Sequence, residues 1–408
     1  MLSFKKALVF ALVVCYMIPT AGFSFEIPSK VRAILKQHPA VQELKLKSNA
    51  ARLDSFASLG LPDPQVAIGI NNLPVASPAF NEYLPTSKSI TLKQMFPSLT
   101  GRKARAKLLK ERSGLIELKS EYLLHQLFGT YLKALEEKAH VHERRNLLAK
   151  KRDLLDTFEQ GLRALAESND VMAFQRIAAL DTQRADLELR ESLLVEILDS
   201  ARTKIKAIDK DLPLLDEVPR ENYLSLPDEP YVFWTDLLST ASTEISRADV
   251  KVKLANYQPD FGFSLTYQQR EKGTSFKGDD WVSFKFLIRI PFWNDQTHGN
   301  RLASARAKED AAMAQLLASR RNSKEKWDLL SAERKSALTS LMRLKQKALA
   351  LSEAMTASQN NYESGRGDIA ALHTIEMKQL QIKDQIAQQR LKANKASIAL
   401  HMLIRRKA

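Results

Sequence analysis

The chain has 408 residues and a formal net charge of +15, with 27% charged residues, 7% aromatics and a single cysteine. That balance excludes an intrinsically disordered chain and a disulfide-built scaffold. The basic excess fits a nucleic acid, an anionic lipid surface or a plain solvated helical exterior.

Residues 1–22 read as a secretory signal. Lys5 and Lys6 precede an apolar run, 7–18, that is too short to span a membrane as a helix. Thr20-Ala21-Gly22 supplies the small residues for cleavage after Gly22, with Ser24 as the second choice. Cys15 lies inside this segment, and an acylation signal there would want a small residue where Val14 stands. The mature chain then has no cysteine and no thiol chemistry. Export argues against nucleic acid as a partner. No later run of 18 apolar residues occurs, so no transmembrane helix is expected.

After the signal, one order of elements occurs twice. The first pass predicts a helix over 29–58, strands over 63–73 and 88–96, a long helix from 101 to about 158, and a return helix over 170–208. A segment with Pro213, Pro219, Pro227 and Pro230 follows. The second pass predicts a helix over 231–257, strands over 260–269 and 281–292, a long helix over 300–362, and a return helix over 368–404. The period is near half the chain, far beyond that of a solenoid. The chain therefore divides into a first repeat at 23–208, a linker or equatorial segment at 209–230, and a second repeat at 231–408.

The strands alternate. Phe261, Phe263, Leu265 and Tyr267 point opposite to Gly262, Ser264, Thr266 and Gln268. Val282, Phe284, Phe286, Ile288 and Ile290 oppose Ser283, Lys285, Leu287 and Arg289. Val66, Ile68 and Ile70 do the same, and Ile90 and Leu92 more weakly. A half-buried sheet in a soluble domain uses the same alternation. Two features favour strands that cross a membrane. Their lengths are near the roughly 9–11 residues a tilted strand needs. Aromatic Tyr267, Trp281, Phe292 and Trp293 sit at their ends, where an interfacial girdle would lie. The lipid-facing set is then Phe261, Phe263, Leu265, Tyr267, Phe284, Phe286 and Ile288. Four strands cannot close a barrel, and each unpaired backbone group in lipid costs several kcal/mol. Several copies must pool their strands, and three copies would make a twelve-stranded wall.

The first long helix would run roughly 58 residues, near 87 Å. Leu148, Leu155 and Leu162 recur at seven, as do Leu147, Leu154 and Gly161, which is a coiled-coil period. The return helix is about two-thirds as long, and the helix before the strands makes up the difference. Two turns carry the same signature: Phe158-Glu159-Gln160-Gly161-Leu162-Arg163 and Tyr362-Glu363-Ser364-Gly365-Arg366-Gly367-Asp368. Each glycine reads as a helix C-terminal residue, and Asp368 as the cap of the next helix. Exposed tips of a long tube are also where a partner would dock.

These features together resemble the TolC-type outer-membrane efflux protein family. The residues that carry the likeness are Leu61-Pro62-Asp63-Pro64 before the first strand, Gln94-Met95-Phe96-Pro97 followed by Gly101-Arg102-Lys103, the matching Ile290-Pro291-Phe292, and the two tips. The first two motifs look more like the heavy-metal branch, whose members serve metal-exporting resistance–nodulation–division (RND) pumps. The resemblance implies a mainly α fold with a small membrane β part. Three copies would form an α-helical barrel continuous with a 12-stranded outer-membrane β-barrel. It implies a homotrimer in outer-membrane lipid, with a long periplasmic extension that meets a periplasmic adaptor and an inner-membrane RND-type pump. Its function would be a passive duct for heavy-metal cations, or alternatively for organic toxins or secreted polypeptides. Carried onto this sequence, Gly161, Leu162, Gly365, Arg366 and Gly367 fall at the adaptor-contact tips. Asp170 and Asp368 fall at the periplasmic entrance. Family members often ring that entrance with aspartates a few residues after the second tip glycine; here Ala371 and Thr374 stand in that stretch.

No catalytic set is legible, and no cofactor or metal site is expected. The seven histidines are scattered, and His140 and His142 are two apart, on different helix faces. No Gly-rich phosphate loop or nucleophile elbow occurs. The rival of another class is a soluble periplasmic coiled-coil adaptor or scaffold protein.

Overall fold

A computed structural model describes residues 27–167, 171–215, 218–220, 223–226, 231–291 and 294–406. The signal segment 1–22, Asp170, Pro227, Pro230, Phe292 and Trp293 lie outside them.

The elements in chain order are α1 (Ser29–Gln37), α2 (Pro39–Ala57), β1 (Gln65–Asn71), β2 (Ser87–Phe96), α3 (Leu99–Glu167), α4 (Val171–Ile208), β3 (Tyr231–Phe233), α5 (Trp234–Ala255), β4 (Asp260–Gln269), β5 (Trp281–Arg289), α6 (Asn300–Glu363), α7 (Ile369–Leu403) and β6 (Ile404–Arg406). A turn of π-helix, Asn294–Gly299, leads into α6. The expected first helix is two. His38 leaves the helical region, Pro39 starts α2 at its first position, and the His38 ring accepts a hydrogen bond from Ala40 N. β1 is shorter than expected because Pro62 and Pro64 precede it and Asn72, at φ 52°, ends it.

Seven-residue lines hold the helices together. On α3, Ala106, Ser113, Ser120, Ala134, Val141, Leu148, Leu155 and Leu162 are all buried and fall on one line. On α4 the line is Ala173, Leu180, Leu187, Leu194, Ala201 and Ile208. On α7 it is His373, Leu380, Ala387, Asn394 and His401. Toward the sheet the contacts are small and hydroxyl-bonded. Ser113 Oγ donates to Ser48 O at 2.8 Å, and Ser55 Oγ donates to Ala106 O at 2.7 Å. Away from the sheet the same line is leucine, packed on the leucines of α4.

The four long strands form one antiparallel sheet in the order β1-β2-β4-β5. The helices that enter and leave it pack in the same order, α2-α3-α5-α6. Farther along, the order is α4-α3-α7-α6. The structure is thus a single layer of helices that continues into a sheet. Its two flanks are β1, α2 and α4 on one side and β5 and α6 on the other.

The first turn differs from expectation. α3 is 69 residues long and runs through Gly161 to Glu167. Leu162 has no exposed surface and Phe158 is buried, both packed with Leu155 and Leu180. Burying those two side chains outweighs the roughly 1 kcal/mol that a glycine costs inside a helix. Gly161 is therefore not a terminating residue. A Cβ there would stand 3.0 Å from Ile369 Cδ1, so the glycine lets the first turn of α7 come close. The second correction is at Tyr231. A helix was expected from that residue, but Tyr231–Phe233 is a strand that pairs with Ile404–Arg406, and α5 starts at Trp234. Tyr231 stacks on Trp327 at 4.8 Å.

Residues of the equatorial segment clasp the middle of α3. Glu136 is 2% exposed. Its carboxylate accepts hydrogen bonds from Arg220 Nε at 2.8 Å, Asn394 Nδ2 at 3.0 Å and the Tyr223 hydroxyl. Removing a buried carboxylate strands its partners, at a cost of about 3–5 kcal/mol, and the partial exposure of Arg220 puts this site toward the lower end. Glu136→Ala should therefore lower the thermal midpoint of the detergent-dispersed protein well below that of Glu136→Gln. Equal midpoints for wild type and Glu136→Ala, by circular dichroism, would refute the clasp.

Candidate functional site

The sheet separates apolar from polar side chains row by row. Pairing aligns Val66, Leu92, Leu265 and Phe284 in one row, and Ile68, Ile90, Tyr267 and Val282 in the next. Phe263 lies opposite Phe286, and Phe261 opposite Ile288. These side chains share one face, and all but the half-buried Phe263 are exposed, up to 85% for Ile68. The expected lipid-facing residues Phe261, Phe263, Leu265, Tyr267, Phe284, Phe286 and Ile288 thus lie together on it. Ring contacts link Phe263 to Phe284 at 6.2 Å and Phe261 to Phe286 at 6.0 Å. The opposite face is polar and less exposed. There Thr91 and Thr266 hydroxyls meet at 3.0 Å, and Ser264 is buried. The outer edges of β1 and β5 have no partner strand among the described residues.

The connecting loops at the far end of the sheet are tied to each other. Lys88 Nζ pairs with Glu271 at 2.9 Å, and Arg270 Nη1 donates to Leu84 O at 3.2 Å while stacking on Trp281. No helix among the described residues is long and apolar enough to cross a membrane.

At the other end of the layer, the α6–α7 turn has the expected form. Gly365 takes φ +70°, Arg366 N donates to Asn361 O at 2.9 Å, and Gly365 N donates to Tyr362 O at 3.0 Å. A Cβ on Gly367 would lie 2.8 Å from Tyr362 N. Asp368 Oδ1 accepts from Ala370 N at 3.0 Å and caps α7. Residues 362–368 are all exposed. The structure brings Gly161 to this turn through Ile369, while Leu162 faces inward and Asp170 is not described. Gly365, Arg366, Gly367 and Asp368 are accessible; Leu162 is not.

Sequence reading missed two features of this end. Glu159 accepts hydrogen bonds from Arg163 at 2.8 Å and from Arg184, which also pairs with Asp156 at 2.7 Å. Arg163 and then Arg184 hold the Glu159 carboxyl below the usual carboxylate range. The i, i+4 spacing of Glu159 and Arg163 was the available signal. His373 stacks flat on Phe158 with centroids 3.9 Å apart, and burial pushes its pKa down. Its place on the seven-residue line of α7 was legible once that line was drawn from His401 backwards.

Of the remaining histidines, His140 and His401 are buried. His140 is buried and His142 exposed, in keeping with their different faces. His125 and His401 make ring-to-carbonyl hydrogen bonds of 2.9 Å to His401 O and Ser225 O. Among the described residues no three His, Cys, Asp or Glu side chains converge as a metal site.

No family model matches the sequence, and no curated protein does. The fold has clear counterparts among solved structures. The outer membrane protein VceC from Vibrio cholerae aligns over 91% of this chain and 94% of its own, at 14% identity and a TM-score of 0.68. The MtrE outer membrane channel of Neisseria gonorrhoeae, in an open state, aligns over 91% and 87%, at 14% identity and a TM-score of 0.71. CusC, studied for its folding and transmembrane channel formation, aligns over 94% of both chains, at 13% identity and a TM-score of 0.63. This chain has the fold of those channels.

Burial of neutral histidines carries a pH signature. Burial, and then the neighbouring Arg144, lowers His140 to about 4; burial lowers His401 to about 4. Both values lie below the usual value near 6.5 of an unfolded histidine. The unfolded chain therefore binds these protons first. Their stabilisation is complete above pH 6.5 and is lost as pH falls toward 4, by roughly 3 kcal/mol per histidine. The thermal midpoint should drop through that window, and His140→Leu should make the drop shallower. An unchanged slope in the variant would remove His140 from the account.

Proposed function

We propose that the protein is the outer-membrane duct of a tripartite efflux system, assembled as a homotrimer. The observation that carries this reading is the sheet. Its apolar rows share one face in register, its polar rows share the other, and neither edge has a partner strand among the described residues. In water such a face would be an aggregation hazard; in lipid it is the required exterior, provided that the edges find strands. The two flanks differ, so β1 of one copy would meet β5 of the next. Exposed apolar residues on the flanking helices support the same join. Leu46 and Leu53 on α2, Leu189 on α4, and Met342 and Leu349 on α6 are exposed by half or more. A soluble adaptor or scaffold would have no use for the outward apolar rows.

In this reading α3, of 69 residues, extends about 100 Å into the periplasm. The far end of α3, past Gly161, and the turn at 365 are the ends that an adaptor and an RND-type pump would meet. The exposed Gly365-Arg366-Gly367 turn is the better contact, because Leu162 is buried. Heavy-metal cations as cargo rest on the two short motifs at Leu61 and Gln94, with organic toxins and secreted polypeptides as the alternatives. A passive duct performs no reaction; the pump supplies the energy and the choice.

The test is complementation. A deletion strain should become sensitive to efflux substrates, and the plasmid-borne gene should restore growth. A panel of copper, zinc, cobalt and cadmium salts beside dyes and bile salts reads the cargo class. No sensitivity to any of them would count against the duct.

Two variants probe the assignment. Phe263→Arg puts a charge on the outward face, at about 2–4 kcal/mol per copy near the bilayer centre. It should reduce trimers in the outer membrane sharply; normal assembly would refute the lipid-facing role. Gly365→Glu adds roughly 1–2 kcal/mol of backbone strain at one exposed turn, too little to unfold the long helices. It should leave trimers intact and abolish export, and full export would remove this turn from the contact.

A further inference from the structure

We propose that the inner face of the sheet is a cationic sleeve that favours anionic cargo, with Lys93 and Lys285 setting the preference. The inference rests on the duct reading and deepens it, favouring anionic cargo over the bare heavy-metal cations that the motifs at Leu61 and Gln94 suggest.

The register places these residues together. Gln65 pairs with Lys93, Lys93 with Ser264, and Ser264 with Lys285, so one row reads Gln65-Lys93-Ser264-Lys285. All four point away from the apolar face, since Leu92, Phe263, Leu265, Phe284 and Phe286 occupy it. The two lysines are two strands apart, about 10 Å across the sheet. Neither has an ion-pair partner among the described residues. The only carboxylate in the four strands is Asp260. It is already engaged, accepting from Ser98 N at 3.0 Å and lying 3.8 Å from Arg289. The inner face therefore carries Lys93, Lys285 and Arg289 against Asp260 alone.

Two ordinary uses of strand lysines do not account for this row. Lysine on an edge strand discourages pairing with foreign strands. That fits Lys285 on β5 but not Lys93 on β2, which is paired on both sides. Lysine at a membrane interface snorkels to headgroups. That fits Lys88, on the outward face at the loop end, but not two residues on the inward face. Uncompensated like charges in one row carry a small folding penalty with no structural return. Three copies would repeat the row around the bore. Low-dielectric walls focus such a field along the water path. Carboxylates, phosphates, sulfonates and anionic metal complexes would be concentrated there, and bare divalent cations repelled.

The experiment is the reversal potential of the purified wild-type trimer in a planar lipid bilayer, across a potassium chloride gradient. Wild type should pass chloride in preference to potassium. The preference should grow as the mean salt is lowered toward 0.01 M, where the screening length rises to about 30 Å and spans the bore. Lys93→Glu with Lys285→Glu should lower the chloride-to-potassium permeability ratio by roughly threefold or more, as expected for a local potential of order kT or more. Lys93→Gln with Lys285→Gln should fall between, and serves where the charge swap impairs assembly. A conducting wild type that prefers potassium, or a ratio that neither pair moves, overturns the sleeve and leaves the duct standing. Trimers that never conduct overturn the duct itself, and the sleeve with it.

Discussion

One seven-residue line on α3 organises everything else. It starts at Ala106, two turns below the sheet, and ends at Leu162, beside the second turn. α2, α4, α5 and α7 all pack on this one helix. A strict spacing of seven keeps the contact face aimed at the same neighbours over the full length, where an unmodified helix would drift by about 20° per repeat. The chemistry of the line changes along it. Alanine and serine near the sheet let α2 approach closely, with hydroxyls bonded to carbonyls across the gap. Leucine at the far end gives larger burial, about 2 kcal/mol or so per side chain, where the helices have no sheet to tie them.

The sheet inherits its register from these helices. α2 feeds β1, β2 feeds α3, α5 feeds β4 and β5 leads toward α6. Helix order and strand order are the same because each strand continues a helix already fixed against its neighbour. A slip of one residue between β2 and β4 would turn one strand's apolar face inward. It would also move Lys93 to the apolar side. The helical packing is thus what keeps Lys93 off that face.

Much of this was legible from residue order alone. The duplicated unit, the four strands, the cap at Asp368 and the positive φ at Gly365 followed from alternation and turn chemistry, which are local. What escaped was decided at long range. Gly161 has the local signature of a terminator, but Leu162 and Phe158 find buried partners on α4, and those contacts extend the helix. Tyr231–Phe233 forms a strand because Ile404–Arg406, from the far end of the chain, arrives beside it. Glu136 carries no local signal of burial. It is buried because Arg220, Tyr223 and Asn394 reach it from two other parts of the chain. The paired flanks could not be read at all, since strand order within the sheet depends on β2 meeting β4.

Those flanks limit how copies can assemble. Because β1 with α2 and α4 differs from β5 with α6, the join in the proposed assembly would be head-to-tail, and a head-to-tail join either closes a ring or runs on as an open filament. Two things favour closure. The sheet and the helices are covalently continuous, so both must turn through the same angle per copy. A wall of four strands per copy reaches a barrel of the known size range with three copies, each covering roughly a third of a turn. A filament would satisfy the strand edges equally well, but it would leave the polar inner face against lipid along its whole length, at several kcal/mol for each unsatisfied group. In the proposed membrane assembly, closure alone would give Lys93, Ser264 and Lys285 water. The inner face is therefore an argument for the ring that is independent of the edges.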